Sequence, residues 1–299
     1  MRIVVTGTRG QLVSALTECV SPDVEVVTVG RPRLDLADPT GIGPGLADAR
    51  PDVIINAAAY TAVDRAESER EAAFATNAIG AGAVATAATR LGVPLIQLST
   101  DYVFDGRKTT PYAENDPVAP LGVYGASKLA GERAVLAAHP DAVICRTAWV
   151  YGVFGQNFVK TMLRLAETRD AVDVVADQFG NPTSAHDIAS SLITIAGRLC
   201  RAGSAAPRGI FHLAGSGTGS WADLAEAVFA ASAAAGGRSA RVRRITAAAY
   251  PTAAPRPANS RLDCDRLRQA YGITLPAWRD SVDMVVRRLV QGSGGEISA

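Results

Sequence analysis

Two side chains suited to proton transfer lie four positions apart near the middle of the chain, Tyr124 and Lys128. If this segment is helical, the spacing places both side chains on one face, with Cβ atoms roughly 5–6 Å apart. A free phenol has a pKa of about 10 and exchanges protons poorly at neutral pH. A neighbouring ammonium group favours the phenolate, so we expect Lys128 to lower the pKa of Tyr124 towards a range useful for acid–base chemistry.

The same spacing also occurs in ordinary amphipathic helices, where it joins a surface lysine to a half-buried tyrosine. In this chain lysine is rare, because only Lys108, Lys128 and Lys160 stand among 30 lysines and arginines. A chance pairing with tyrosine is correspondingly less frequent. The elements that must position the pair decide between the two interpretations.

Composition and charge exclude several classes of protein. The 299 residues carry a formal net charge of +1 and 20% are charged, which argues against nucleic-acid binding. No apolar run approaches the roughly 18 residues of a membrane span, and the first residues form a strand pattern rather than a secretory signal. The four cysteines are scattered without C-x-x-C spacing, as in a reduced compartment. We therefore expect a cytoplasmic protein with no nucleic-acid or membrane partner.

The N-terminal segment has the pattern of a strand, a glycine-rich turn and a helix. Ile3–Val5 is a short β-branched run, and Gly7 and Gly10 follow it. In dinucleotide-binding folds such glycines let the backbone approach a pyrophosphate at the N-terminus of the helix. The G-x-x-G spacing alone is weak evidence for dinucleotide binding, but its place between a strand and a helix strengthens that evidence. The predicted cofactor-binding residues of this turn are Gly7, Thr8, Arg9, Gly10, Gln11 and Leu12.

The next predicted strand, Val24–Val29, ends without the acidic residue that often binds the ribose 2′-OH of NAD. The first acid after it is Asp35. Arg31 or Arg33 could instead meet a 2′-phosphate and favour NADPH, or both could be solvated loop arginines. The sequence leaves these alternatives open, and Asp35 and Leu36 complete this part of the predicted cofactor site.

Two apolar runs, Asp52–Asn56 and Pro94–Ser99, have the pattern of buried parallel strands. In a doubly wound sheet ligands bind outside the carboxyl ends of the strands, so the residues that follow each run are candidates. We assign Ala57, Ala58, Ala59, Tyr60 and Ser99 to the cofactor, together with Tyr124 and Lys128. Thr100 lies at the mouth of the same site.

Strand and helix patterns alternate over about 150 residues, which predicts an α/β fold with a Rossmann-type doubly wound parallel sheet. A smaller C-terminal α/β lobe would bind substrate. The predicted division is a dinucleotide-binding domain at 1–150, to which some later segments return, a substrate lobe at 151–290 and a flexible tail at 291–299.

Longer motifs extend over nearly the whole chain. They are NAAAYTAVDRAESE (56–69), STDYVFDG (99–106), VYGASKLAGE (123–132), RTAWVYG (146–152), QFGNPTSA (178–185) and RPANSRL (256–262). Together these motifs resemble the dTDP-4-dehydrorhamnose reductase family, a branch of the extended short-chain dehydrogenases/reductases. Such a set is far more specific than G-x-x-G or the Tyr–Lys spacing.

The resemblance implies reduction of the 4-keto group of dTDP-4-dehydro-6-deoxy-L-mannose to dTDP-L-rhamnose by NADPH, with NADH possible. Tyr124 would donate a proton to the oxygen, Lys128 would hold the nicotinamide ribose and tune Tyr124, and Thr100 would donate a hydrogen bond to the same oxygen. The substrate-binding residues that the resemblance implies are Thr100, Asp101, Tyr102, Trp149, Arg256, Asn259 and Arg261.

One departure from the family concerns metal. Members have been described with a magnesium ion held by glutamates where subunits meet, and the matching positions in this chain are Ala15, His186 and Arg288. Magnesium takes oxygen ligands, which none of these side chains supplies. We therefore expect no magnesium, and a monomer or a weak homodimer.

Three alternatives were weighed. A related 4-ketoreductase that makes another dTDP-deoxysugar shares every residue named above. A nucleotide-sugar dehydratase needs a glutamate directly after the aspartate, where this chain has Tyr102, so we reject it. The regulatory subunit of methionine adenosyltransferase resembles the same family without being a reductase, and only a turnover assay separates it from an enzyme.

Overall fold

The computed structural model describes residues 1–19 and 21–292. The strands are β1 (Arg2–Thr6), β2 (Glu25–Val29), β3 (Val53–Asn56), β4 (Leu95–Thr100), β5 (Val143–Thr147), β6 (Val150–Tyr151), β7 (Ala171–Val175), β8 (Phe179–Gly180), β9 (Thr183–Ser184), β10 (Gly209–His212), β11 (Gly219–Ser220) and β12 (Arg241–Ile245). The helices are α1 (Gln11–Glu18), α2 (Ile42–Asp48), α3 (Val63–Ala66), α4 (Arg70–Phe74), α5 (Ala81–Leu91), α6 (Val123–Ala138), α7 (Phe158–Ala166), α8 (Ala185–Ala202), α9 (Trp221–Ala234), α10 (Asp265–Tyr271) and α11 (Trp278–Gly292).

The central element is a six-stranded parallel sheet with the order β10-β5-β4-β3-β1-β2. Its inner strands are buried on both faces, which explains why β3 and β4 are almost uninterrupted apolar runs in the sequence. The strand order reverses between β1 and β3, and a crevice forms there at the carboxyl ends. The predicted α/β, doubly wound fold is confirmed.

Helices cover both faces of this sheet. On one face α1, α8 and α10 pack over a core that includes Leu16, Ile188, Leu192 and Leu267. On the other face α2, α5 and α6 bury a second core. Because α8 and β10 follow residue 150, part of the C-terminal half of the chain belongs to the layers of the central sheet.

A separate core holds the remaining C-terminal elements. Helices α7, α9 and α11 pack with the parallel pair β7 and β12 around Val228, Phe229 and Trp278. Helix α9 begins with a capping box, in which the Ser220 hydroxyl accepts from the Asp223 N–H and the Asp223 carboxylate accepts from the Ser220 N–H. The exact boundary at residue 150 between two domains stays a prediction.

A π-helical segment, Ala75–Gly80, joins α4 to α5, at the point where the Ala-rich sequence predicts an interrupted helix. Helix α11 includes Gln291 and Gly292, which were assigned to the tail, and 293–299 lie outside the described residues. Within the described part of the chain, none of the helices is long and apolar enough to cross a membrane.

Candidate active site

The turn after β1 has the geometry of an anion-binding loop. Gly7 and Gly10 have φ angles of 94° and 124°, a region that side chains with a Cβ rarely enter. Gly10 is the N-cap of α1, and no side chain caps this helix. The first N–H groups of α1 therefore face the crevice and are free to bind a negatively charged group such as a pyrophosphate.

One cleft of about 1190 Å³ runs from this turn to the ends of β4 and β5. This exceeds the roughly 300–1,000 Å³ of pockets for drug-sized ligands, so a dinucleotide and part of a second ligand fit in it. The structure brings the following predicted residues together in its walls: Gly7, Thr8, Arg9, Gly10, Gln11, Leu12, Arg31, Asp35, Leu36, Ala57, Ala58, Ala59, Tyr60, Ser99, Thr100, Asp101, Tyr102, Tyr124, Lys128 and Trp149.

The adenosine end of the cleft carries arginine side chains. Arg31 lies 3.9 Å from Asp35 (Nε to Oδ2) and is largely exposed, so it is free to meet a phosphate. Arg9 lines the same end, whereas Arg33 is not among the lining residues within the described part of the chain. Of the two arginines weighed for a 2′-phosphate, Arg31 is the one that the structure places at the cleft.

Tyr124 and Lys128 lie on α6, as their spacing predicts, and Thr100 ends the neighbouring strand β4. The Thr100 hydroxyl donates to Asp101 Oδ1 at 3.0 Å, and it lies close enough to the phenol of Tyr124 to influence the pKa of that group. Helix α6 approaches this corner closely, and Gly125 makes the approach possible, since a Cβ at this position would overlap the carbonyl oxygen of Tyr102. The three predicted catalytic side chains therefore share one corner of the cleft.

The expectation that Lys128 lowers the pKa of Tyr124 is wrong. Burial raises the pKa of Tyr124 to about 12, the neighbouring Thr100 hydroxyl opposes the increase, and the nearby charge of Asp101 adds to it. Lys128 does not pair with the phenol because its Nζ donates to the Leu98 carbonyl oxygen at 2.7 Å. Tyr124 is consequently protonated throughout the neutral range, which is the state that a proton donor needs.

Lys128 is itself perturbed. Burial lowers its pKa to about 8, and the negative charge of Glu132, one turn further along α6, acts in the opposite direction. Glu132 forms a bidentate ion pair with Arg146 of β5 at 2.7 and 2.8 Å, and both side chains are about 3% exposed. The Ser99 hydroxyl of β4 donates to the same carboxylate. This buried network ties α6 to β4 and β5 directly beneath Lys128.

Asp101 is the most unusual carboxyl group of the site. Burial raises its pKa to about 7, while the hydroxyls of Ser260 and Thr100 partly counteract the increase. Its Oδ2 atom is buried, and no donor in the described residues reaches it at hydrogen-bonding distance. The hydroxyl of Thr147, at the end of β5, is also buried without a partner there and lines the cleft. These two polar atoms are therefore left without a hydrogen bond at the edge of the cleft.

Aromatic rings form the walls near Tyr124. Tyr102 meets Tyr124 edge to face with ring centroids 5.9 Å apart, and burial raises the pKa of Tyr102 above its usual value. Trp149 stacks on Trp221 with centroids 3.6 Å apart and an interplanar angle of 3°. Trp221 also lines the cleft and was not predicted. The sequence signal was available, because Trp221 is one of only three tryptophans.

A second unpredicted residue is Asn77, in the π-helical segment. Its amide accepts from the Tyr60 N–H, and donates to the Tyr60 carbonyl oxygen and to the Ser127 hydroxyl on α6. It therefore joins the loop that follows β3 to the helix that carries Tyr124. Gln11 has a similar linking role, since its side chain donates to the Val150 carbonyl oxygen and accepts from Asn157.

The structure does not place Arg256, Asn259 and Arg261 in the walls of the cleft. Asn259 has a structural role instead, because its amide nitrogen donates to the carbonyl oxygens of Lys108 and Thr110 and its oxygen accepts from Arg261. Arg256 pairs with Asp64 at 2.8 Å. Contact of these three side chains with a diphosphate stays a prediction, and it requires Arg256 and Arg261 to exchange partners.

Comparison with known proteins agrees with this geometry. The family model described as the RmlD substrate binding domain matches residues 1–291. The chain is 55% identical over 290 residues to a dTDP-4-dehydrorhamnose reductase of Sinorhizobium fredii, and the match covers 97% of each chain. The chain belongs to the dTDP-4-dehydrorhamnose reductase family. This confirms the resemblance found in the sequence motifs.

Two further relatives of this dTDP-4-dehydrorhamnose reductase family member are informative. The crystal structure of the Bacillus anthracis dTDP-4-dehydrorhamnose reductase, in complex with NADP, is similar with a TM-score of 0.88 and 35% identity, over 95% of this chain and 98% of that one. A Streptomyces antibioticus protein named as a probable dTDP-4,6-dihydroxy-2-methyloxan-3-one 4-ketoreductase is 42% identical over 286 residues, 94% of this chain and 93% of the relative.

Two of the three positions at which the resemblance led us to look for magnesium ligands, His186 and Arg288, form an ion-pair cluster with Glu18. Arg288 donates to both carboxylate oxygens of Glu18 at 2.6 and 2.9 Å, and His186 Nε2 lies 2.6 Å from Glu18. Ala15 is buried in the core. In the described residues no group of three or more His, Cys, Asp or Glu could hold a metal ion. The absence of magnesium stays a prediction, which the positive charge of Arg288 at this position supports.

Proposed function

We propose that this chain is a dTDP-4-dehydrorhamnose reductase, which reduces the 4-keto group of dTDP-4-dehydro-6-deoxy-L-mannose to give dTDP-L-rhamnose. The observation that carries the proposal is a half-buried Tyr124, beside Thr100 and one helical turn from Lys128, in a cleft continuous with a dinucleotide turn. Relatives named dTDP-4-dehydrorhamnose reductase support the choice of substrate, and the relative with bound NADP supports the choice of cofactor.

In this mechanism bound NADPH supplies a hydride to C4 of the sugar. Negative charge then develops on the carbonyl oxygen, and protonated Tyr124 gives its proton to that oxygen. Thr100 lies beside the phenol and would turn its hydroxyl from Asp101 Oδ1 to donate a hydrogen bond to the same oxygen. Lys128 would hold the nicotinamide ribose, and it is positively charged below its pKa of about 8, which would favour the phenolate that Tyr124 leaves behind.

NADPH is the cofactor that the site fits best, with NADH also accepted. The N-terminus of α1 and Gly10 would bind the pyrophosphate, and exposed Arg31 would pair with the 2′-phosphate. Asp35 lies within the same loop and offers a carboxylate to a 2′-OH, so binding of NADH is weakened rather than lost.

The direct test is NADPH oxidation by the purified chain with dTDP-4-dehydro-6-deoxy-L-mannose, repeated with NADH. We expect turnover with both cofactors and a higher kcat/KM with NADPH. Absence of turnover with either cofactor would point to a non-catalytic regulator and would refute the proposal. NMR assignment of C4 in the product separates a rhamnose from its C4 epimer, which the related ketoreductase in Streptomyces makes worth testing.

We also propose that the enzyme acts in the cytoplasm. We further propose that it is a monomer or a weak homodimer, because Arg288 stands at a position where relatives were expected to hold a bridging metal. Light scattering during gel filtration, with and without EDTA, tests the assembly. A dimer that dissociates on removal of metal would contradict it.

A further inference from the structure

Trp149 has a strained backbone. Its φ angle is 47°, in the left-handed region, which costs a non-glycine residue on the order of 1–3 kcal/mol and persists only where the surroundings hold it. Trp149 comes two residues after the end of β5 and lines the cleft next to Thr147. The strain therefore lies at the candidate sugar site, and its cause should be found in the contacts of the indole ring.

Three contacts fix that ring. Its face stacks on Trp221 with centroids 3.6 Å apart, and its Nε1 donates to Ser260 Oγ at 3.2 Å. Its edge lies against Gly180, where a Cβ would come within 2.6 Å of Trp149 Nε1. The glycine of the motif QFGNPTSA thus makes room for the ring, and the ring has one orientation available.

Trp221 is itself held firmly. It is the first residue of α9, directly after the N-cap Ser220 and inside the capping box that Ser220 forms with Asp223. Arg244 donates to Asp223 at 2.8 Å, which attaches this end of the helix to β12. Phe158 of α7 packs on the Trp221 ring with centroids 4.9 Å apart. Trp221 is therefore part of the C-terminal core, whereas Trp149 extends from the central sheet.

We propose that Trp221 is a positioning residue, which holds the Trp149 indole in place as one wall of the sugar site. The inference rests on the proposed function, because the deoxysugar that this wall would contact is the proposed substrate. Ordering the ring before binding removes an entropic cost of association, and a fixed aromatic face suits the apolar face of a deoxysugar. Trp221 acts through Trp149 rather than by contact with the sugar.

The stack has a spectroscopic signature that does not depend on catalysis. Two parallel indoles at this distance couple and give an exciton couplet in far-ultraviolet circular dichroism. We expect the couplet in the wild-type chain, its loss in both Trp149→Phe and Trp221→Phe, and its retention in Trp278→Phe. The Trp278 ring packs against Gly217 and Gly219 instead. Spectra of Trp149→Phe and Trp221→Phe that differ from the wild type no more than that of Trp278→Phe overturn the inference.

Kinetics then test the positioning role. In Trp221→Leu we expect KM for the sugar nucleotide to rise roughly 3- to 10-fold, in line with the worth of an aromatic pair, while KM for NADPH stays unchanged. Trp221→Phe keeps a ring beneath Trp149 and should remain within about 2-fold of wild type. The role is merely structural, and the inference fails, if Trp221→Leu raises the KM values for both substrates equally. It fails likewise if Trp221→Leu unfolds the chain while Trp221→Phe keeps wild-type stability but not wild-type KM.

A double-mutant cycle decides whether Trp221 acts through Trp149. We expect Trp149→Leu combined with Trp221→Leu to have the same KM as Trp149→Leu alone. Effects that multiply would mean that Trp221 contacts the sugar nucleotide directly, which overturns the inference. Wild-type turnover on the 4-keto sugar decides the proposed function separately. If the wild type is active and the effects of the two substitutions on KM multiply, only the role of Trp221 is refuted.

Discussion

Tyr124 owes its protonation state to burial rather than to a charged neighbour. The fold encloses the phenol and raises its pKa to about 12, and Lys128 donates to a backbone carbonyl instead of pairing with it. The sequence singled out this pair but not the balance of effects on its pKa, since the i, i+4 spacing contains no information on burial. The cofactor ribose is the group expected to draw Lys128 from the Leu98 carbonyl.

Replacing Tyr124 by phenylalanine removes the proposed proton donor and leaves the shape of the cleft nearly intact. We expect kcat to fall by about 10²–10⁴-fold, the usual worth of general acid–base catalysis. The Kd of NADPH, measured by fluorescence, should stay within about 2-fold, since the lost hydroxyl is worth a single hydrogen bond. Tyr250→Phe is the matched control, because Tyr250 is 60% exposed and outside the cleft. Near-normal kcat in Tyr124→Phe would contradict the assignment.

Asp101 predicts a pH dependence near neutrality. Its pKa is raised to about 7 by burial, so the carboxyl becomes charged as the pH rises through 7, and this charge disfavours negative charge on Tyr124 and on the substrate oxygen. We expect the wild-type kcat/KM to decline above pH 7, and that of Asp101→Asn to decline only above about pH 8, where Lys128 loses its charge. A pH–rate profile of both proteins measures it.

The same group gives a stability test. Because the folded pKa of Asp101 lies above its unfolded value of about 3.9, the neutral form favours folding at low pH, and that advantage is lost as the pH rises through 7. Asp101→Asn should therefore raise Tm more at pH 8 than at pH 4. An equal change in Tm at both pH values would show that the carboxyl is not buried as described.

At the scale of elements, the contact of α6 with β4 and β5 determines the site. The ion pair of Glu132 and Arg146 is buried with the Ser99 hydroxyl at the same carboxylate. Local periodicity predicted β4 and the helix of Tyr124 and Lys128, because a buried strand is an apolar run and the i, i+4 spacing suits a helix. It could not predict the pair, whose two members come from different elements and meet only when the sheet forms.

Breaking this ion pair from one side should be severe. Arg146→Met leaves the Glu132 charge buried without compensation, and we expect a loss of about 3–5 kcal/mol in the free energy of unfolding. Combining it with Glu132→Gln removes the second charge and should restore much of that loss. Urea denaturation of both single variants and the double variant measures the coupling. Losses that simply add would contradict a direct buried pair.

At the scale of the whole molecule, ion pairs and polar links connect the central sheet to the C-terminal elements. Glu18 of α1 binds Arg288 of α11 and His186 of α8. Contacts between positions so far apart in the chain leave no local sequence pattern. The sequence therefore predicted only that Arg288 and His186 do not bind magnesium, and not that they pair with Glu18. For the same reason it did not foresee that Trp149 and Trp221 stack, or that Asn259 is occupied by backbone groups.

The Glu18 cluster makes stability depend on acid. Hydrogen bonds from Arg288 and His186 lower the pKa of Glu18 to about 2 from its usual 4.5. Its contribution is present above pH 4.5 and is lost as the pH falls towards 2. Since the pair is about half exposed, Arg288→Ala should cost at most about 1 kcal/mol at pH 7 and progressively less below pH 4.

A matched control for this variant lies next to it. Arg287 pairs with Asp283 within α11, so Arg287→Ala removes the same charge without breaking a link between helices. We expect a smaller effect on Tm at pH 7 than for Arg288→Ala. Equal effects of the two variants would mean that the link to α1 contributes nothing.

The central claim, that Tyr124 protonates a C4 oxygen as hydride reaches C4, is tested most directly with deuterated cofactor. The chain is incubated with NADPH that carries deuterium on the transferred position and with dTDP-4-dehydro-6-deoxy-L-mannose, and the product is examined by NMR. We predict dTDP-L-rhamnose with one deuterium at C4 for each NADPH oxidised, and almost none from Tyr124→Phe. Absence of deuterium at C4, or equal product from Tyr124→Phe, would contradict the account.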